Sequence, residues 1–384
     1  MKYRESHRSA CDFLLNGCFE VMTVRWLLMN KDTPVMCFTS STDEYGEIVL
    51  NEEDWLSDRK PLGYISITSF VERRKAPKHR KHIEELLIRY GCDDLEGFLN
   101  VAHALSLNDT LWVKEENSPL MWADVSLYHN TFNEMIAQAA FDGEWSGSEM
   151  STTSPEFGTD GSYAKCWVRE DDRIMLYKCG SDEIEIEPVS EFLASQIAET
   201  ICPNHVAYDL AFYHHRLISK CELFTSEEIG LAKVYDLGLQ EKTIASLLKF
   251  FDSIGSGDDF RRMCVLDALI MNTDRHLGNF GVLFDNDTME IRGMAPVFDN
   301  NRSLFFHLDS DQLRKVDWYA GKCKPRIGTD FMLTAKGLMT DDIRQDLRNL
   351  SGFRFAQHES ISIEQERLDL LSDFVDRQIQ TLLS

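Results

Sequence analysis

The sequence predicts an α+β chain: an additional mixed α/β domain at the N-terminus, then a small β-rich lobe, then a larger helical lobe. Three observations carry this. Residues 142–155 form a Gly-, Ser- and Thr-rich stretch with Pro155 near its end, a linker-like composition. Beyond it come short runs rich in β-branched and aromatic residues. From about residue 226 the apolar residues recur at helical spacing instead. The expected division is 1–142 for the accessory domain, 143–153 for the linker, 154–225 for the small lobe with its connector, and 226–384 for the helical lobe.

Taken in order, residues 35–41 and 47–53 read as short strands. Residues 79–91 read as an amphipathic helix, with Ile83, Leu86, Leu87 and Tyr90 on one face and Gly91 as its stop. After the linker, residues 164–170, 171–180 and 205–224 read as strands. Between them, residues 190–201 read as a helix with Ser190 as N-cap and Phe192, Ser195, Ile197 and Thr200 toward one side. Residues 241–251, 258–272 and 364–383 supply helices to the last lobe, and residues 282–299 a hairpin turning at Asn286-Asp287. A β-rich lobe joined to a helical one leaves a cleft between them, the usual place for a ligand.

Composition narrows the function. The 384 residues carry 40 Lys and Arg against 64 Asp and Glu, a formal charge of −24. That balance argues against nucleic acid or an anionic membrane as a general partner, since both are themselves negative. No apolar run reaches the roughly 18–20 residues of a membrane span, and the first apolar stretch is too short for a signal peptide, so a soluble cytoplasmic protein is expected. Ten cysteines occur without a C-x-x-C pair, which reads as reduced, buried thiols. The cations Arg73, Arg74, Lys75, Lys78, Arg80 and Lys81 read as a solvated helix entry in preference to a nucleic-acid or acidic-partner patch. His214 and His215, as neighbours on a strand, would face opposite ways and share no ion. Asp285, Asn286 and Asp287 lack the Gly and Glu of a calcium loop and read as a turn. Residues 106–112 read as a packing or interface element.

The chemistry concentrates in Asn272-Thr273-Asp274-Arg275-His276-Leu277-Gly278-Asn279. An Asp followed five residues later by an Asn matches the phosphoryl-transfer loop in which the Asp takes a hydroxyl proton and the Asn oxygen reaches Mg²⁺. Here the His follows the Asp, as Asp274-x-His276. Asp299, after the apolar run ending at Phe298, stands where a second metal ligand is expected, and the intervening hairpin returns it toward Asn279. Upstream, Gly158, Gly161 and Ser162 lie in a loop that could present backbone N–H groups to phosphate. Lys178 ends an apolar strand, as a phosphate-binding Lys does, and Glu191 on the next helix is its candidate partner.

In this order, the motifs resemble the HipA-like bacterial serine/threonine kinases and their CtkA-type relatives, over roughly residues 154–384. The resemblance implies a two-lobed, kinase-like fold distantly similar to phosphatidylinositol kinases. It implies ATP and Mg²⁺ as cofactors, Asp274 as catalytic base with His276 beside it, Asn279 and Asp299 on the metal, and Lys178 on the phosphates. The backbone of Glu222 and the ring of Phe224 would hold adenine. The expected reaction transfers the γ-phosphoryl group to a Ser or Thr hydroxyl of a protein, the enzyme itself included. A cognate regulator or antitoxin is left unnamed. A lipid or small-molecule kinase would share every one of these residues, and a nucleotide-binding module without transfer is the reading from another class. The acidic chain makes a basic acceptor protein the expectation.

Overall fold

The computed structural model describes residues 23–80, 82–143, 154–181 and 186–384. Apart from Gly143, the expected linker lies outside the described residues. Strands β1 (Val24–Asn30), β2 (Thr33–Thr42) and β3 (Ile48–Trp55) are followed by helices α1 (Ile67–Arg74), α2 (Ile83–Arg89) and α3 (Leu95–Ala102). Strand β4 (Leu111–Glu115), α4 (Trp122–Val125) and α5 (Glu134–Asp142) come next. These four strands form one sheet in the order β3-β2-β1-β4, and every pairing in it is antiparallel.

After a short 3₁₀ turn at Pro155–Gly158 come β5 (Lys165–Glu170), β6 (Arg173–Cys179), α6 (Glu187–Ile201), β7 (Asp209–Tyr213), β8 (Arg216–Glu222) and β9 (Ile229–Lys233). The second sheet runs β5-β6-β8-β7. Helices α7 (Ile244–Ser253) and α8 (Gly257–Ile270) precede the hairpin β10 (Gly281–Asp285) and β11 (Ile291–Met294), which joins β9 as the third sheet. Helices α9 (Ser310–Leu313), α10 (Val316–Ala320), α11 (Phe331–Leu338), α12 (Asp341–Asn349) and α13 (Gln365–Leu383) complete the chain. No described helix is long and apolar enough to cross a membrane.

One contiguous apolar core runs from Trp26, Leu28 and Phe38 through Leu193 and Ile197 of α6 to Leu266 of α8 and Leu371 of α13. The first sheet is therefore packed into the rest of the molecule. Polar contacts tie it to the later part of the chain: Asn30 Nδ2 donates to the Asn286 carbonyl (2.5 Å), and the Leu231 N–H donates to the carbonyl of Asn108, just before β4 (2.7 Å). The 106–112 segment thus does serve as packing: it lies against β9 and the connector after β8, where Thr225 donates to the Leu107 carbonyl (2.5 Å).

Several local expectations change. Helix α6 starts at Glu187, not at Ser190, because Pro188 fits its first turn, where no N–H is needed. Its buried face is Leu193, Ala194, Ile197, Ala198 and Ile201, while Phe192 and Thr200 are only half-buried. His214 and His215 sit in the β7–β8 turn with φ of 46° and 63°, not within a strand. The left-handed pair matches the right-handed twist that a two-residue hairpin requires. The basic stretch is not a solvated helix entry. Arg74 is buried on Asp109 (2.7 Å), Arg80 is buried on Glu156 (3.0 Å), and Arg73 pairs with Asp236 (3.0 Å). Cys37, Cys92, Cys202, Cys221 and Cys264 are buried thiols, as the composition predicts.

Candidate functional site

Strands β5 and β6 meet at the turn around Asp171 and Asp172, and their register sets Lys165 opposite Lys178. Cross-strand partners share a face, so two lysines point into one place. Lys178 Nζ lies 2.9 Å from Glu191 and 2.5 Å from Asp299. Glu191 is fully buried on the second turn of α6, and its other oxygen accepts from Ser219 (2.7 Å). Burial alone would pull the Lys178 ammonium down, but Asp299 and then Glu191 hold it above its ordinary value. Burial alone would raise the Asp299 carboxyl, yet Lys178 and Lys165 hold it below the usual carboxylate range. Lys165, buried and facing Lys178, is lowered to about 7 by desolvation first and by that neighbouring charge second.

The catalytic-type loop begins where α8 ends. Met271 takes a left-handed conformation (φ 51°) and swings the chain out of the helix. The Asn272 side chain then accepts from the Asp274 N–H (3.0 Å), closing a tight turn. Arg275, 1% exposed, is paired with Asp267 of α8 (3.0 Å). Its remaining N–H groups reach the carbonyls of Asn279 (2.9 Å) and Phe298 (2.5 Å) and the Asn300 side chain (2.5 Å). One guanidinium therefore fixes the segments carrying Asn279 and Asp299 against each other. Asn279 Nδ2 donates to the Asp274 carbonyl (3.0 Å), a bond in which Oδ1 takes no part. Asp299 sits at φ 58°, its N–H donating to Tyr208 Oη (3.1 Å). The Asp274 carboxylate lies 3.5 Å from Arg326 and 3.7 Å from Arg302.

The glycine loop closes the other side. Gly161 has φ 101°, and a Cβ there would fall 2.1 Å from Lys165 Nζ; at Gly158 it would fall 2.5 Å from the Leu105 carbonyl. Both positions require glycine. Lys165 Nζ donates to the Asp160 carbonyl (2.8 Å), tying the loop to β5. Arg80 braces it from behind, donating to the carbonyls of Glu156 (3.1 Å), Thr159 (3.0 Å) and Lys165 (3.0 Å).

Gly158, Gly161, Lys178, Phe224, Asn279 and Asp299 thus line one cleft of about 170 Å³, with Glu191 directly behind Lys178. Leu176, Tyr208, Phe224 and Phe298 make its apolar end, with the Phe224 and Phe298 rings 5.7 Å apart. Ser162 and the Glu222 side chain are exposed and outside the cleft lining; Leu223, Phe224 and Thr225, next along the chain, form the wall there. His276 is exposed, and its Nδ1 accepts from the Gly278 N–H (3.0 Å). It borders a second, larger groove that joins the cleft at Asp160, Lys233 and Gly278. Lys165, Tyr208 and Arg80 went unassigned from sequence. For Lys165 a signal existed: once the turn at Asp171-Asp172 is accepted, counting back along both strands sets it opposite Lys178.

The donor set suits a hard divalent cation. The Asp299 carboxylate and the Asn279 amide oxygen are both oxygen donors, and Mg²⁺ takes few protein oxygens, filling the rest of its shell with water and phosphate. Among the described residues, no group of three or more His, Cys, Asp or Glu could hold a metal by itself.

No family model matches the chain, and none of the curated proteins matches it. Among solved structures it is similar to the complex of HipA, HipB and operator DNA of a Shewanella oneidensis MR-1 toxin–antitoxin system. The TM-score is 0.50 at 10% identity, over 93% of this chain and 96% of that one. The Helicobacter pylori proinflammatory kinase CtkA also matches, at a TM-score of 0.42 and 17% identity, over 57% of this chain and 92% of that one. The first of these likenesses is one of fold, a mixed α/β chain with several antiparallel sheets. It extends well beyond residues 154–384, to which the sequence motifs are confined.

Proposed function

We propose that the chain is an ATP- and Mg²⁺-dependent kinase that transfers the γ-phosphoryl group to a Ser or Thr hydroxyl of a protein. The observation that carries this reading is Lys178, held between Glu191 and Asp299 on the cleft that Asn279 also lines. An ammonium fixed between two carboxylates at a glycine loop is a phosphate site in waiting. In this reading residues 154–225 and 226–384 act as the two lobes, and the adenine ring takes the apolar end beside Phe224 and Phe298.

Asn279 and Asp299 would hold the metal, whose contribution when bound is to neutralise charge on the phosphates. Lys178 and Lys165 pair with phosphate oxygens, and Gly158 and Gly161 let the loop backbone approach them. Asp274 orients the acceptor hydroxyl and takes its proton as the new O–P bond forms and the β–γ bridging bond breaks, with ADP leaving. Autophosphorylation is a further expectation. A cognate regulator is proposed by analogy with HipB in the Shewanella structure.

Intact-mass measurement after incubation with Mg-ATP and candidate acceptor proteins tests the reading. Wild type should add on the order of 80 Da per phosphate to itself or to an acceptor. Asp299→Asn should abolish the addition while retaining the fold. ATP binding with no transfer to any acceptor would leave a nucleotide-binding module in place of an enzyme.

A further inference from the structure

The groove beside the catalytic-type loop encloses about 850 Å³, against about 170 Å³ for the cleft it adjoins. One wall is His276, Leu277 and Gly278; the other is Lys75, Pro77 and Lys78, from the segment after α1. Arg326 closes one end, 3.5 Å from the Asp274 carboxylate. Asp160, Lys233 and Gly278 belong both to this groove and to the cleft that Lys178 lines, so the two are continuous there.

Its charge is opposite to that of the chain. In a protein of net charge −24, five cations line the groove against three carboxylates. Arg73 is committed to Asp236 (3.0 Å) and Lys233 to Asp160 (2.6 Å). Arg326 shares the Asp274 carboxylate (3.5 Å) with Arg302, which leaves Lys75 and Lys78 against Glu72. The Lys75 ammonium donates to the uncharged Asp94 carbonyl (2.9 Å), and Lys78 is exposed. Burial and then the charge of Lys78 pull the Lys75 ammonium below its ordinary value, a repulsion that an anion seated between the two would relieve.

We propose that this groove receives the acceptor protein as an acidic segment, with its Asp or Glu side chains on Lys75, Lys78 and Arg326 while the Ser or Thr hydroxyl reaches Asp274. The proposal rests on the kinase reading and names its substrate class. Arg326 gains a second role in it. An acidic residue of the acceptor competes with Asp274 for the guanidinium, and winning it leaves Oδ1 of that carboxylate open to the hydroxyl while Arg302 stays on Oδ2. The whole-chain charge favours a basic acceptor; the groove wall reverses that preference around the reacting group, where the field is local and short-ranged.

The test uses the full chain and fluorescein-labelled serine peptides with flanks of Glu, Ala or Arg. Anisotropy reads binding, and phosphate transfer from Mg-ATP is read separately. The Glu-flanked peptide should bind about tenfold tighter than the Ala-flanked one, with the margin shrinking in high salt. Lys78→Glu, at an exposed position, should cut that margin about threefold. The triple variant Lys75→Glu/Lys78→Glu/Arg326→Glu, checked for an unchanged melting temperature, should prefer the Arg-flanked peptide. Transfer with no preference for acidic flanks overturns the groove and keeps the kinase reading. Binding of the acidic peptide with no transfer to any peptide withdraws the kinase reading, and the acceptor role with it. Saturable binding of anionic-lipid vesicles or an oligonucleotide through the same three residues, with the acidic peptide ignored, also overturns the proposal.

Discussion

Two buried arginines brace the two sides of the cleft with the same chemistry, at very different distances along the chain. Arg275 pairs with Asp267 and spends its other N–H groups on the Asn279 and Phe298 carbonyls, all within one continuous stretch of sequence. Arg80 pairs with Glu156 and reaches the Glu156, Thr159 and Lys165 carbonyls, 76 to 85 residues further on. A guanidinium has five donors in a rigid fork, so either residue can hold a carboxylate and several carbonyls together. They differ in completeness. Arg275 Nε bonds to Asp267; burial lowers the guanidinium, but Asp267 and then Asp299 together raise it above its ordinary value. Arg80 Nε is buried without a hydrogen-bond partner, and burial outweighs Glu156 to lower it. The Arg275 guanidinium is therefore fully satisfied, and the Arg80 guanidinium carries an unmet donor. Under the proposed function, rigidity falls where two metal ligands would keep a fixed separation, and slack where a loop would admit phosphates.

Removing each brace measures that difference. Arg275→Met leaves Asp267 buried and unpaired and frees the Asn279 and Phe298 carbonyls. A loss of about 3–5 kcal/mol of stability is expected, with phosphate transfer down roughly a thousandfold, because a misplaced metal ligand costs orders of magnitude. Urea denaturation and the transfer rate check both, and a variant within tenfold of wild type would break the comparison on its stronger side. Arg80→Met strands Glu156 but also removes the unmet Nε donor. It should lose about 3 kcal/mol or less and act on nucleotide KM, raised about tenfold, more than on kcat. Equal effects on both constants would mean that Arg80, too, positions reacting groups.

The same contrast explains what could be read from the sequence. The strands around Lys178, helices α7, α8 and α13, and the β10–β11 hairpin were legible because each is a local periodic pattern. That Asn279 and Asp299 come to one cleft was legible because the hairpin between them is a local pattern as well; Asp274 lies outside the lining of that cleft. Arg80 was not: nothing near residue 80 announces a carboxylate at 156, and a run of cations on an acidic chain reads as surface. Ser190 was mistaken for a cap because Ser before an apolar run is a common start, whereas Pro188 marks the true first turn. The Glu222 side chain is exposed at the end of β8, while the expectation for it concerned the backbone; Leu223 and Phe224 line the cleft beside it.

Lys165 supplies the smallest effect and the sharpest test of where the slack lies. It hangs from the same loop that Arg80 braces, and the folded protein holds it at about 7 by burial and by the charge of Lys178. An unfolded lysine keeps its proton to about 10.4. Between about pH 7 and that value the unfolded chain binds the extra proton, so stability rises with pH across the window; below about 7 both states are protonated and the cost is complete. Lys165→Met removes the titrating group while keeping the volume. Its stability should exceed wild type by on the order of 2 kcal/mol at pH 6.5, and the gap should close toward pH 10. Urea melts of the nucleotide-free protein at three pH values decide it. Parallel curves would place the ammonium in water, and with it the loop away from the cleft. A converging pair, with Arg275→Met running parallel to wild type over the same range, would confine pH sensitivity near neutrality to the glycine-loop side.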